Sequence, residues 1–324
     1  MNKPHVLIQR SLPAEAVSLI SEACEIAYFP EEKLTAETLF RLAGPAVGML
    51  QSGVRINAEL LDHAPHLKIV ANNAVGYNNF DLAAMKARGV IGTHTPFVLD
   101  DTVADLVLAL MLAAARRIAE LDRRVKNGEW GRSFSGEALF GVDVHHATLG
   151  IIGMGRIGDA IAKRAKFGFD MDILYANRNH RPEAEQTYGA RHVSLEQLLR
   201  ESDYVVLMTP LTPETQRMIR KEHFAMMKRS AIFINASRGQ TVDEQALIEA
   251  LENRVILAAG LDVYEKEPVD PANPLLRLPN AVTVPHIGSA TRKTRFDMAM
   301  MAARNLVAGA TGQTPPNVVP ELRP

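Results

Sequence analysis

Short apolar runs punctuate the first 95 residues at regular intervals. VLIQ, CEIAYF, VGML, LKIVAN and VIGTH are separated by amphipathic or polar segments. Runs of this length alternating with helix-compatible stretches predict parallel βαβ units. A second series begins at ATLGIIG (147–153) and continues through DILYAN, ARHV, YVVLMT, AIFINAS, ILAAGLDV and AVTVPHI. These runs are almost continuously apolar, as strands are when helices cover both faces of their sheet. From Ser289 the pattern turns helical again, in TRKTRFDMAMMAARNLVAGATG. The fold class expected is α/β, with two doubly wound parallel-sheet domains.

Between the two series lies TPFVLDDTVADLVLALMLAAARRIAELDRRV. Asp100, Asp101 and Thr102 offer capping chemistry, Asp105 follows Thr102 by three positions, and one long apolar helix ending in basic residues is predicted. Such a helix is apolar on more than one face. It is either buried within one domain or part of a subunit interface, and composition leaves both open.

Composition narrows the class further. The chain has 324 residues, 47% of them hydrophobic and 23% charged, with a net charge of −1. That length accommodates two domains of ordinary size, and no electrostatic case exists for nucleic acid or an anionic membrane. Cys24 is the single cysteine, which excludes an internal disulfide and fits a reducing compartment. MNKPHVLIQRS lacks the apolar core of a signal peptide, and LVLALMLAAA (106–115) is about half the length a bilayer needs. A cytoplasmic protein is expected.

GIIGMGRIG places Gly153, Gly155 and Gly158 in a GxGxxG between a buried strand and an amphipathic helix, the context that makes this motif a dinucleotide site. Gly153 turns the chain, Gly155 admits a pyrophosphate to the backbone, and Gly158 lets helix and strand pack closely. The next strand ends in ILYANRNHR (173–181), where NAD-binding domains carry an acid for the ribose hydroxyls. Here stand Asn177, a neutral donor, and Arg178, a planar fork, with His180 and Arg181 beyond. A 2′-phosphate needs donors and is repelled by a carboxylate. NADP(H) is the expected cofactor, with NAD(H) bound without the acid as the alternative.

Three further strand ends carry polar chemistry: Arg238 in INASRG, Glu267 in GLDVYEKEP and His286 in VPHIGSAT. The carboxyl edge of a parallel sheet is where ligands bind, so a guanidinium, a carboxylate and an imidazole converge there. The set suits reduction of a 2-oxo acid. Arg238 can grip the substrate carboxylate and polarise the neighbouring carbonyl. His286 can protonate the carbonyl oxygen as hydride arrives, and a carboxylate such as Glu267 favours the charged imidazole. His63 with His66, and His145 with His146, lack partners at metal-ligand spacing, so no metal is expected.

HHATLGIIGMGRIG, LMTPLTPETQRMI, INASRG with VDEQALIEAL, GLDVYEKEP and VPHIGSAT together resemble the D-isomer-specific 2-hydroxyacid dehydrogenases, over essentially the whole chain. NAVGYNNFD (73–81) and the HTP at 94–96 are most similar to bacterial glyoxylate/hydroxypyruvate and 2-ketogluconate reductases. The resemblance implies a Rossmann cofactor domain (100–287) inserted in a flavodoxin-like substrate domain (1–99 plus 288–324). It implies backbone contacts to substrate from Ser52, Gly53, Val75 and Gly76. Cofactor contacts are implied for Thr102, Arg156, Ile157, Pro210, Thr215, Ala236, Gly288 and His286, with Asp262 meeting the carboxamide. It also implies a homodimer built by the helix after Asp101. Ser237 replaces a frequent glycine beside Arg238, and its side chain is expected to point away. Two other readings stand beside this one: an NAD-dependent D-lactate-like dehydrogenase, and a cofactor-sensing scaffold resembling the corepressors of the same fold.

Overall fold

A computed structural model describes residues 3–28, 35–131 and 135–323. The chain divides into two compact units, residues 1–99 with 290–324, and residues 100–289.

The first unit alternates β1 (His5–Ile8), α1 (Ala14–Ala23), β2 (Glu25–Tyr28), α2 (Ala36–Ala43), β3 (Gly48–Gln51), α3 (Ala58–His63), β4 (Ile69–Asn72), α4 (Leu82–Ala87) and β5 (Ile91–Thr93). Phe29, expected as the end of β2, lies outside the described residues. All five strands are parallel in the order β2-β1-β3-β4-β5, the flavodoxin-like arrangement. Alternate side chains go to opposite faces, as the strand period of two requires. Leu7, Met49 and Val70 pack on one face with Leu39, Leu60 and Met85 from the helices. Val6, Ile8, Leu50 and Ile69 pack on the other with Ala16 and Ile20 of α1. Each strand is apolar on both sides because each side has its own helical cover.

The second unit opens with α5 (Asp100–Ala115) and α6 (Ile118–Lys126). It continues through β6 (Thr148–Ile152), α7 (Arg156–Phe169), β7 (Asp172–Ala176), α8 (Pro182–Tyr188), β8 (Arg191–His192), α9 (Leu195–Glu201) and β9 (Tyr204–Leu207). It closes with α10 (Lys221–Met226), β10 (Ile232–Asn235), α11 (Glu244–Glu252), β11 (Ala258–Leu261) and β12 (Ala281–Thr283). The seven parallel strands run β12-β11-β10-β9-β6-β7-β8, the dinucleotide-binding order with one strand added. The chain then returns to the first unit as α12 (Arg292–Ala310), whose Ala302, Ala303 and Leu306 complete the core beneath Val6 and Ile8.

Two expectations about the linking helix fail. It is not continuous: Arg117 takes a left-handed backbone, φ 56°, and separates α5 from α6. Arg117 is held there by hydrogen bonds to Glu120 and to the Ala138 and Phe140 carbonyls, a tertiary anchor that helical periodicity does not register. Nor do Thr102 and Asp105 form a capping box. The helix already begins at Asp100, and Arg164 of α7 takes Asp105 (2.7 Å) and Asp101 (3.0 Å), while Arg156 takes Asp100 (3.1 Å). The acids that resemble a cap pin α5 to α7. Val107, Leu110 and Met111 of α5 are buried.

Among the described residues no helix is long and apolar enough to cross a membrane. The second unit's core is centred on Phe233 of β10, fully buried and edge-to-face with Phe224 at 5.5 Å. Phe233→Ala is expected to destabilise the protein by about 3–5 kcal/mol, the cost of a large buried aromatic and the cavity it leaves. Urea unfolding monitored by circular dichroism measures it.

Candidate active site

The glycine loop joins β6 to α7. Gly153 has φ 102°, and a Cβ there would meet the Met208 carbonyl carbon at 2.8 Å, so a side chain fits neither the turn nor the space. Gly155 is the N-cap of α7, and a Cβ there would meet nothing within 4 Å. Open space over the amino end of a helix suits a diphosphate, which the free N–H groups and the helix dipole hold. The residues present therefore fit a dinucleotide.

Asn177, at the end of β7, is committed differently from what its position suggests. Its Oδ1 accepts from the Met154 amide (2.7 Å) and its Nδ2 donates to the Met154 carbonyl (3.2 Å). It clamps the glycine loop with both ends of its amide. Arg178 follows it, exposed to solvent. Arg156 reaches back to Asp100, whose carboxyl is raised by burial against the lowering pull of Arg156. Ile157 is part-buried in the first turn of α7 and Thr102 in that of α5. In the loop after β9, the Thr215 hydroxyl donates to the Pro210 carbonyl (2.6 Å) and accepts from Thr212 N–H (2.8 Å), closing that loop on itself.

Arg238, Glu267 and His286 follow β10, β11 and β12, which are neighbours in the sheet. His286 Nδ1 lies 2.6 Å from Glu267 Oε2, and Glu267 Oε1 accepts from the Tyr264 amide at 3.1 Å. Burial pushes the Glu267 carboxyl up. The His286 hydrogen bond and charge, the Tyr264 amide and Arg238 together outweigh it and leave the group below its ordinary value. Glu267 is thus ionised at neutral pH. A depressed folded-state value means that the pair stabilises the fold above the ordinary carboxylate range and that this is lost as pH falls through the folded value. Arg238 is largely withdrawn from water, which pulls its pKa down, and Glu267 opposes that pull; a guanidinium stays charged regardless.

Three supports hold this set; Gly239, Asn235 and Thr241 were not legible as functional residues, whereas the resemblance assigns Asp262 to the carboxamide. The first is Gly239: a Cβ would fall 1.8 Å from the Tyr264 carbonyl carbon, so only glycine lets the chain after Arg238 run against the loop leading to Glu267. The second is the turn beneath Arg238. Asn235 Nδ2 and the Thr241 hydroxyl both donate to the Arg238 carbonyl (3.1 and 2.6 Å). Ser237 does not point away, as expected, but is buried and donates from Oγ to Asn235 Oδ1 at 2.8 Å. Ala236 is part-buried between them. The third is Asp262, 1% exposed, whose oxygens accept from the Ile287 (2.6 Å) and Gly288 (2.9 Å) amides. Burial raises its carboxyl, and those amides and His286 pull it back without cancelling the rise. His286 adopts φ 52°, a left-handed backbone, and the Asp262 bonds fix the two residues that follow it.

In the first unit, Ser52, Gly53, Val75 and Gly76 lie in the loops after β3 and β4, supported by a buried amide pair that sequence reasoning missed. Gln51 Nε2 donates to Asn72 Oδ1 (2.9 Å), Gln51 Oε1 accepts from Val54 N–H (2.8 Å), and Asn72 Nδ2 donates to the Gly76 carbonyl (2.8 Å). His94 Nδ1 holds the Val75 carbonyl at 2.9 Å. Polar residues at the final position of two buried strands are the signal that could have found them. Elsewhere His63 stacks on Phe40, and His145 packs edge-on to His146. Among the described residues no group of three His, Cys, Asp or Glu side chains is placed to hold a metal.

The fold and the residues at the strand ends define a nicotinamide-dependent oxidoreductase of 2-hydroxy and 2-oxo acids. Residues 108–288 match the family model described as the NAD binding domain of D-isomer specific 2-hydroxyacid dehydrogenase. The chain is 48% identical over 320 residues to glyoxylate/hydroxypyruvate reductase B of Erwinia tasmaniensis, covering 98% of this chain and 99% of that one. A solved protein of Thermus thermophilus is 44% identical with a TM-score of 0.90, over 97% of this chain and 99% of its own. An NADPH-dependent glyoxylate/hydroxypyruvate reductase of Sinorhizobium meliloti, solved with NADP and malonate, is 31% identical with a TM-score of 0.87, over 99% of this chain and 98% of its own. The chain belongs to the D-isomer-specific 2-hydroxyacid dehydrogenase family.

Asp262→Asn is expected to lower kcat/KM about a hundredfold, the scale of a misplaced catalytic group. The new amide would turn an N–H toward the Ile287 or Gly288 amide and release the segment that holds His286. Steady-state kinetics with a 2-oxo acid measures the loss.

Proposed function

We propose that this enzyme uses NADPH to reduce a small 2-oxo acid, glyoxylate, hydroxypyruvate or 2-ketogluconate, to the D-2-hydroxy acid. The observation that carries the reading is the 2.6 Å bond between His286 Nδ1 and Glu267 Oε2. An ionised Glu267 takes the Nδ1–H, stabilises a charged ring and leaves Nε2–H free for a substrate oxygen. Arg238 binds the substrate carboxylate, its guanidinium already stripped of much of its water, so little further desolvation is needed. Asp262, Gly239 and the 235–241 turn hold these groups still. A bound nicotinamide supplies the hydride. Backbone groups at Ser52, Gly53, Val75 and Gly76 are assigned to the substrate.

The cofactor preference rests on the adenosine end. With Asn177 turned to the glycine loop, Arg178 is the planar donor left for a 2′-phosphate, and no carboxylate stands at either position to repel it. That the Sinorhizobium relative is NADPH-dependent and was solved with NADP supports the same choice. An NAD-dependent D-2-hydroxyacid dehydrogenase is the competing reading. We also propose a homodimer. Ile118 and Val125 on α6, Trp130, Phe140 and Phe167 are exposed apolar side chains, an excess that a second copy would cover. A cytoplasmic location is proposed with it, on the lone buried Cys24.

His286→Gln is expected to lower kcat by about 10²–10⁴, the worth of a positioned general acid, with the Kd for NADPH unchanged. Full turnover in that variant would remove His286 from the reaction. Arg178→Ala is expected to raise the Kd for NADPH about tenfold, the scale of one charge-assisted hydrogen bond, and to leave that for NADH unmoved. Fluorescence titration with each coenzyme reads both.

A further inference from the structure

Beside the loop at the end of β7 runs a chain of hydrogen bonds with no part in the chemistry described above. Glu185 Oε1 on α8 accepts from the Tyr175 hydroxyl (2.5 Å) and from His180 Nδ1 (3.0 Å). His180 Nε2 lies 3.1 Å from His192 Nδ1, and His192 Nε2 lies 3.0 Å from the Asn177 backbone carbonyl. The rings are close, with centroids 4.1 Å apart, and His192 also packs on Tyr175 at 5.0 Å. The chain therefore begins at a carboxylate and ends on the residue that clamps the glycine loop.

The contacts of this pair constrain where its protons sit when each contact is a hydrogen bond. Glu185 is held below its ordinary value by the Tyr175 hydrogen bond first and His180 next, so it is an acceptor. A peptide carbonyl can only accept. His180 Nδ1 and His192 Nε2 must then both carry hydrogen. If the rings held those two protons alone, their facing nitrogens would meet lone pair to lone pair at 3.1 Å. The contact becomes a bond when a third proton sits between them. Two neutral imidazoles carry two protons, whereas three ring-nitrogen contacts made as hydrogen bonds call for three.

We propose that His180 and His192 share one extra proton, and that this imidazole–imidazolium pair positions Asn177 and Arg178 and favours an adenosine 2′-phosphate. The proposal rests on the reading of this loop as an NADP pocket. Glu185 on α8 and Tyr175 on β7 are the groups bonded into the pair's network; Arg178 and Arg181 flank His180 along the loop, and Arg191 precedes His192 on β8 but pairs with Glu201 at 3.2 Å. The Arg181 amide donates to the Tyr175 hydroxyl (2.8 Å), and Arg178 helps to hold the Glu214 carboxyl low, after Thr212 and the local backbone. With the shared proton, the Glu185–His180–His192 network is neutral. Without it, the network carries one net negative charge next to the loop assigned to the adenosine end, a repulsion of the kind that NAD-selective domains impose with an acid. His180 and His192 are positioning residues: they act through the Asn177 carbonyl and through the field at Arg178.

The test is calorimetric titration of NADPH and NADH at low salt between about pH 7 and about pH 9, where a phosphate with its second pKa near 6 stays dianionic. The expected Kd for NADPH rises about fivefold across this range, the scale of one unit charge at ten ångströms or so in a partly aqueous medium, while that for NADH stays flat. Repeating the titration in buffers of different ionisation heat should show fractional proton uptake with NADPH alone. His192→Gln keeps an N–H for the Asn177 carbonyl and cannot hold the charge; it should abolish both the uptake and the pH slope. His180→Gln serves as the second variant, with the same loss. An unchanged slope and uptake in folded His192→Gln would overturn the proposal, as would equal weakening of both coenzymes, which marks a merely structural role. A wild-type enzyme that binds NADH more tightly than NADPH at about pH 7 would defeat the NADP reading instead. The difference between wild type and variant in NADPH binding would still decide for or against the pair.

Discussion

The site depends on one electrostatic constraint: a cation and two carboxylates are kept partly out of water and must satisfy one another there. Arg238 and Asp262 are both driven toward neutrality by burial, while Glu267 is carried the other way because His286 and Arg238 favour its charge. Removing water strengthens each of these interactions and also makes each unpaired member costly. The arrangement is therefore cooperative. Glu267 cannot lose His286 without becoming a half-buried carboxylate left with the Tyr264 amide and the Arg238 charge. Asp262 cannot lose the Ile287 and Gly288 amides without becoming a fully buried anion with its main partners gone.

Topology explains how groups so far apart in the chain come to share that constraint. Parallel strands put every carboxyl end on one edge of the sheet, and β10, β11 and β12 are adjacent, in register Ile234↔Gly260 and Gly260↔Val282. The edge is then tightened by backbone contact, not by side chains. Gly239 touches the Tyr264 peptide so closely that no Cβ fits, and the Tyr264 amide itself donates to Glu267. The residue that excludes a side chain at 239 also orients the carboxylate that serves His286.

What could be read in the sequence follows the reach of each signal. The strands were legible because burial on both faces writes continuous apolar runs such as YVVL and IFIN. The glycine loop was legible because three backbone requirements fall at fixed spacing, and the residues at 238, 267 and 286 because strand ends are predictable. The break at Arg117 was not, since its left-handed backbone is held by carbonyls some twenty residues away. Nor was the fate of Asp105, whose spacing from Thr102 imitates a cap while a distant arginine claims it. Ser237 was misread for the same reason: its partner Asn235 is close in sequence, but only the turn built on the Arg238 carbonyl faces it inward. Gln51 and Asn72 went unnoticed because a single amide at a strand end carries no pattern until the two strands are paired.

Asn177 shows the two levels meeting in one side chain. A carboxylate at this position could accept from the Met154 amide but would face the Met154 carbonyl with another acceptor. The asparagine answers both, accepting at 2.7 Å and donating at 3.2 Å. The missing acid is thus a matter of loop architecture as well as of charge. Its own backbone carbonyl, turned the other way, is the acceptor on which His192 closes. One residue therefore couples the glycine loop on one side to the imidazole pair on the other. A change that disturbs either neighbour is transmitted through its peptide, without Asn177 itself having to touch the ribose.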